Sequence, residues 1–339
     1  MADPDLRDRF LSTLKGKAVD KVPALSVTQT GTMELMKKCG AAWPEAHFDA
    51  KKMAALALSA HTFSGLEAIR YPFCLTVLSE AMGCRINQGR HDIQPSPESH
   101  PFAKEPEKLE FPPDLIERGR IPMILDVTSI LREEAGEGMP LITGMEGPAS
   151  LLSRLIGTYN FLTWALRKPE TLKECLEITG AVCSGYAQVL YEVGVDAVCI
   201  VDGIAGPDMF DPKDFEVFMR PEYEKLCGSV KGMKLIHICG NSTPILKSVS
   251  ECGFQGISIE EKVTDLQAAK KLVGSKTKLI GNLSSSGVML NGTCEDIKEE
   301  AQKCLEDGID ILAPGCGIAP KTPIKNLRAL IEARDDYYR

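Results

Sequence analysis

The chain has 339 residues, 44% of them hydrophobic and 25% charged, with a formal net charge of −8. That length and balance describe an ordinary globular protein with room for a sizeable core, and the acidic sum argues against a nucleic-acid partner. No run of about 18 apolar residues occurs, so no membrane-spanning helix is expected.

The charged opening MADPDLRDRF lacks the apolar core of a signal peptide. Twelve cysteines in a long chain expected to have no leader point to a reduced, cytoplasmic protein, with a few cysteines available as metal ligands.

Taken in chain order, short apolar runs bounded by Gly, Pro or Asp predict eight strands, at 22–27, 66–71, 140–145, 195–201, 233–239, 256–260, 278–283 and 309–313. Helical spacing of apolar residues runs through 171–193, from Leu172 and Cys175 to Val189 and Leu190. Asp211 and Pro212 open an expected helix over 211–230, Thr293 one over 293–306, and Thr322 caps one over 323–338. Strands alternating with helices predict an α/β fold, a (β/α)8 TIM barrel. A doubly wound open sheet is disfavoured because no G-x-G-x-x-G follows the first strand. One barrel domain then spans 1–339, with a polar, Pro-rich insertion at about 84–120 after the second strand. Such an insertion lies at the catalytic face of a barrel, as a lid or as a solvated excursion.

The strongest local signal is Leu-Ile-His-Ile-Cys-Gly-Asn at 235–241. In a strand His237 and Cys239 point to the same side, and Gly240 ends the run. Imidazole and thiol at the end of a barrel strand suit zinc. Cys316, in Ala-Pro-Gly-Cys-Gly-Ile past the last strand, is the third candidate ligand. Three protein ligands with an open position describe a catalytic zinc, and no C-x-x-C of a structural site occurs. A buried histidine and two core cysteines would leave the same pattern. Other strand ends supply Glu146, Asp202, Glu260 and Asn282, with Arg70 inside an apolar run. Glu260 is a candidate fourth ligand when substrate is absent.

HICGN-x-x-PIL at 237–246, LAPGCGIAP at 312–320, V-x-Q-T-G at 27–31, GMEGP at 144–148 and AMGC at 81–84 together resemble one family. It is the zinc-dependent methylcobamide:coenzyme M methyltransferases, in the uroporphyrinogen decarboxylase superfamily of barrels. The resemblance runs from about residue 5 to 338 and lies nearer the methanol-pathway branch than the methylamine-pathway branch. It implies a catalytic zinc on His237, Cys239 and Cys316, coenzyme M as methyl acceptor, and a methylated corrinoid protein as donor. Arg70 and the amides around Gly315 and Gly317 are then candidates for the sulfonate. Residues 27–32 lack the arginines with which the decarboxylases grip porphyrin carboxylates, which argues against decarboxylation. The remaining rivals are a barrel methylase acting on another thiol, such as homocysteine, and a non-catalytic corrinoid-protein binding module with a structural zinc.

Overall fold

The computed structural model describes residues 5–339; residues 1–4, the start of the charged opening stretch, lie outside it. Seven parallel strands form one sheet in chain order: β1 (Ile69–Tyr71), β2 (Leu141–Glu146), β3 (Ala197–Val201), β4 (Met233–His237), β5 (Gly256–Ser258), β6 (Lys278–Leu283) and β7 (Ile311–Pro314). Helices form the crossovers that parallel pairing requires.

Residues 23–25 join the two edges of this sheet. Leu25 N–H donates to the Leu312 carbonyl at 3.0 Å, and Leu312 N–H donates to the Pro23 carbonyl at 2.9 Å. On the other side Glu67 N–H donates to the Ala24 carbonyl at 3.0 Å. The expected first strand over 22–27 thus shrinks to a parallel bridge between Ala24 and Leu312. Pro23 has no amide hydrogen, the Glu67 carboxylate takes the Ala24 N–H at 2.9 Å, and Thr28 N–H turns back onto the Ser26 hydroxyl.

Alternation sends one side-chain set of each strand into the barrel interior. Leu25, Val27, Ala68, Ile142, Ala197, Cys199, Leu235, Ile280, Ile311 and Ala313 form one buried cluster there, with Phe10 and Leu14 of the helix Leu6–Leu14. Asp196, next to the start of β3, accepts from Arg7 Nε at 2.6 Å and so holds that helix under the N-terminal ends of the strands. The opposite set packs beneath the outer helices.

Most expected helices form within a few residues of their predicted limits. The segment 211–230 is divided instead into Pro212–Asp214, a π-helical turn over Phe215–Met219, and Arg220–Ser229. Pro221 cannot donate to the ladder there, which suits a widened turn. Thr293 and Asp296 close a capping box. Thr322 does not cap the last helix, Ile324–Tyr337: its hydroxyl is buried without a partner, and the Ile324 N–H goes to Glu34 Oε2 at 2.9 Å. The 84–120 stretch contains a small hairpin, Ile86–Asn87 against Ser96–Pro97, and two 3-10 turns. It docks on the helix Pro148–Ile156, where Phe102 N–H donates to the Leu155 carbonyl. No helix among the described residues is long and apolar enough to cross a membrane.

Barrel closure is locked by Glu67. Besides the Ala24 N–H, its carboxylate accepts from Arg334 Nη1 and Nη2 at 2.8 and 2.7 Å and from Arg9 Nη1 at 3.1 Å. Glu67→Ala strips both buried guanidinium groups of this partner. Urea unfolding should show a loss of about 3–5 kcal/mol; a loss under about 1 kcal/mol would mean that closure does not depend on this carboxylate.

Candidate metal centre

His237 is the last residue of β4, and Cys239 follows it by two. Glu260 lies two residues past the end of β5, and Cys316 two past β7. One ligand atom from each of these four residues lies within 4.8 Å of the others. The group therefore sits at the C-terminal mouth of the barrel, where chain crossovers leave strand ends free to carry a site.

The loop bearing Cys316 is held from three sides. Gly315 N–H donates to the Leu283 carbonyl at 2.7 Å. A Cβ on Gly315 would lie 3.0 Å from Glu260 Cα, so only glycine passes this close without displacing the Glu260 backbone. The Ser285 hydroxyl accepts from Cys316 N–H and donates to the Cys316 carbonyl, both at 2.9 Å. Ile318 N–H donates to the Gln29 carbonyl at 2.9 Å, and the Gln29 side-chain amide donates back to the Ile318 carbonyl.

On the other side of the cluster, His237 Nδ1 lies 3.0 Å from Ser258 Oγ, and Nε2 lies 3.3 Å from Cys239 Sγ. Ser258 thus turns the second ring nitrogen toward the sulfur atoms. The two thiols compete for negative charge. Hydrogen bonding from Cys239, and then from His237, lowers Cys316, and the same bond together with burial raises Cys239. Burial and then the Cys316 charge raise Glu260. Three acidic groups crowd one imidazole, and a divalent cation would relieve that conflict. A cavity of about 210 Å³ lined by Glu260, Ser285, Cys316, Gly317 and Ala319 opens beside the cluster.

The other strand-end residues have different surroundings. The Glu146 carboxylate accepts from the N–H groups of Leu78 and Ser79 and from the Ser79 hydroxyl. Asp202 accepts from Ala149 N–H, Ser150 N–H and Tyr223 Oη, with its pKa raised by burial. The Asn282 amide donates to the carbonyls of Glu260 and Val263. These three side chains hold backbone. The Gly315 amide donates to the Leu283 carbonyl, and the Gly317 amide faces the Cys316 sulfur. Arg70 points into the barrel interior and is buried.

Two residues escaped the sequence reading. Ser258 pairs in register with His237 across β4 and β5, a relation visible only once strand pairing is known. Cys74 is buried, yet the Arg120 guanidinium and His47 outweigh burial and bring its thiol down to about 6. All twelve cysteines are free.

A family model described as uroporphyrinogen decarboxylase (URO-D) matches residues 5–337. The chain is 46% identical over 338 residues, the full length of both proteins, to the methylcobamide:CoM methyltransferase MtaA of Methanosarcina barkeri. It is 35% identical over 337 residues, 98% of each chain, to the methylcobamide:CoM methyltransferase MtbA of Methanosarcina acetivorans. A solved methyltransferase structure from Methanosarcina mazei superposes with a TM-score of 0.97 at 46% identity, covering 99% of this chain and 100% of that one. With the barrel and its mouth in place, these matches settle the affiliation: the chain belongs to the uroporphyrinogen decarboxylase family, within its branch of methylcobamide:CoM methyltransferases.

Proposed function

We propose that this protein transfers a methyl group from a methylated corrinoid, carried on a separate protein, to the thiol of coenzyme M. The observation that carries this reading is the imidazole, two thiols and carboxylate gathered at the barrel mouth. It stands in a chain that is 46% identical over its length to a methyltransferase named for methylcobamide and CoM. The higher identity to MtaA than to MtbA, 46% against 35%, favours the methanol-pathway role over the methylamine-pathway one. A cytoplasmic place accords with free cysteines throughout.

The donor set fits zinc. Soft sulfur and nitrogen ligands suit that ion, and His237, Cys239 and Cys316 would hold it, with Glu260 as the fourth donor. When bound, zinc stabilises the acceptor's thiol as a thiolate at neutral pH. The chain's own residues do the rest. Cys239 and Cys316, as thiolates, supply two negative charges against the ion's two positive ones, and neutral His237 adds none. An arriving thiolate therefore keeps its electron density and its nucleophilicity. Ser258 fixes which nitrogen of His237 faces the cluster. Glu260 is the one oxygen donor among the soft ligands and would be the one suited to yield its place to a sulfur. The acceptor sulfur then attacks the methyl carbon in line, and the electron pair of the cobalt–carbon bond stays on the corrinoid. The donor ring has to approach face-on, and the 84–120 stretch would gate or dock it.

Purified protein should contain one zinc per chain and should methylate coenzyme M, not homocysteine, from methylcobalamin. Cys239→Ala and Cys316→Ala should lose stoichiometric zinc and about 100-fold or more in activity. A zinc-free active wild type, or C239A with full activity, would sink this mechanism. Ser258→Ala should fold normally and bind zinc about 10–100-fold more weakly in chelator competition; unchanged affinity would remove Ser258 from the site.

A further inference from the structure

The V-x-Q-T-G segment at 27–31 carries part of the family likeness, yet the methyl transfer uses none of its side chains. Its place is the closure seam of the barrel. There the chain start pairs with β7 through the single bridge between Ala24 and Leu312. β7 ends at Pro314, and Cys316 lies two residues beyond, where that pairing has run out. On the β6 side the Cys316 loop is held by Leu283 and Ser285. On the seam side no strand pairs with β7 beyond the bridge, among the described residues.

Gln29 takes the missing strand's place. Its carbonyl accepts from Ile318 N–H at 2.9 Å, and its side-chain Nε2 donates to the Ile318 carbonyl. Nε2 also donates to the Gly31 carbonyl at 3.1 Å, and Oε1 accepts from Gly31 N–H at 2.6 Å. The amide can face only one way, because turned over its oxygen would meet two carbonyls. Gln29 is 6% exposed, so water would not replace a lost partner. The next two residues serve the same placement. Thr30 Oγ1 donates to the Arg70 carbonyl on β1 at 3.4 Å. A Cβ on Gly31 would lie 2.8 Å from Trp43 Cζ2, so a side chain there would displace the indole ring.

For Cys316 the result is an unbroken run of fixed peptide units. Ser285 holds the two that flank Cys316, and Gln29 holds the two that flank Ile318. Gly317, between them, packs on Gln29 itself: a Cβ there would lie 3.2 Å from Gln29 Cγ. Met33 N–H continues the seam to the Pro320 carbonyl at 2.7 Å. The Cys316 sulfur is thus placed from both sides, by Ser285 near β6 and by Gln29 at the seam.

We propose that Gln29 is a positioning residue for Cys316, holding the loop backbone so that this sulfur meets His237, Cys239 and Glu260 at the distances a metal needs. The inference rests on the zinc reading of the cluster and extends the centre to a residue that acts through Ile318. A ligand whose backbone is free to drift binds its metal less tightly, as happens when the outer hydrogen bonds of a metal site are removed.

The test uses three measurements on the full chain: zinc affinity by chelator competition, the electronic spectrum with cobalt(II) in place of zinc, and thermal unfolding of the metal-free protein. Gln29→Leu removes every side-chain bond at this position. It should weaken zinc binding roughly 10–100-fold and lower the sulfur-to-cobalt absorption toward that of Cys316→Ala. Gln29→Glu keeps the acceptor for Gly31 N–H and loses the donor to Ile318. It should show the same losses, and it carries the test if Q29L does not fold. A purely structural role would lower the unfolding temperature and leave zinc affinity and cobalt absorption at wild-type values, and that result would overturn the assignment. Zinc affinity within about twofold of wild type in both variants would overturn it too. A wild type that binds neither zinc nor cobalt through sulfur would overturn the zinc reading together with it.

Discussion

Two thiols, a carboxylate and an imidazole held within 4.8 Å form a group that resists its own assembly. Every acidic member raises the cost of ionising the next, and burial adds to it. Side chains on a flexible scaffold would separate. Here they cannot, because each hangs from the end of a strand whose neighbours are set by backbone pairing. Rigidity bought at the level of the sheet is what makes an electrostatically strained donor set available to a cation.

That rigidity is maintained at the opposite end of the molecule. Arg9, Glu67 and Arg334 knit the start of the chain, the segment before β1 and the last helix around the bridge at Ala24. The helix Leu6–Leu14 fills the bottom with Phe10 and Leu14. Fully paired charges and apolar packing thus occupy the N-terminal ends of the strands, and underused polar groups occupy the C-terminal ends. Stability and chemistry are separated along the barrel axis, so the mouth can carry unbalanced charge without loosening the fold.

Leu25, Ile142, Leu235, Ile280 and Ile311 pack the interior with aliphatic bulk, and the missing side chain of Gly144 leaves the space that the Arg70 guanidinium fills. The acidic net charge says nothing of this buried cation, because composition averages over position. The 84–120 stretch, with its short hairpin and 3-10 turns, attaches through Phe102 and His100 to the helix Pro148–Ile156.

Strand positions, the His237-x-Cys239 pair, and Cys316 between two glycines follow from local pattern, because alternation and strand-ending glycines are properties of neighbouring residues. So does the candidacy of Glu260. The roles of Glu146, Asp202 and Asn282 did not follow: each looks like a free polar group at a strand end, and only the fold shows which backbone amides or carbonyls claim it. Ser258 became visible only through its register with His237, and the shrinkage of the expected first strand only through the competing Glu67 carboxylate. The sequence by itself determined which residues can ligate, ionise or end a strand. The tertiary structure decided which of them meet, because proximity across 77 residues from Cys239 to Cys316 is set by sheet order and barrel closure and by nothing local.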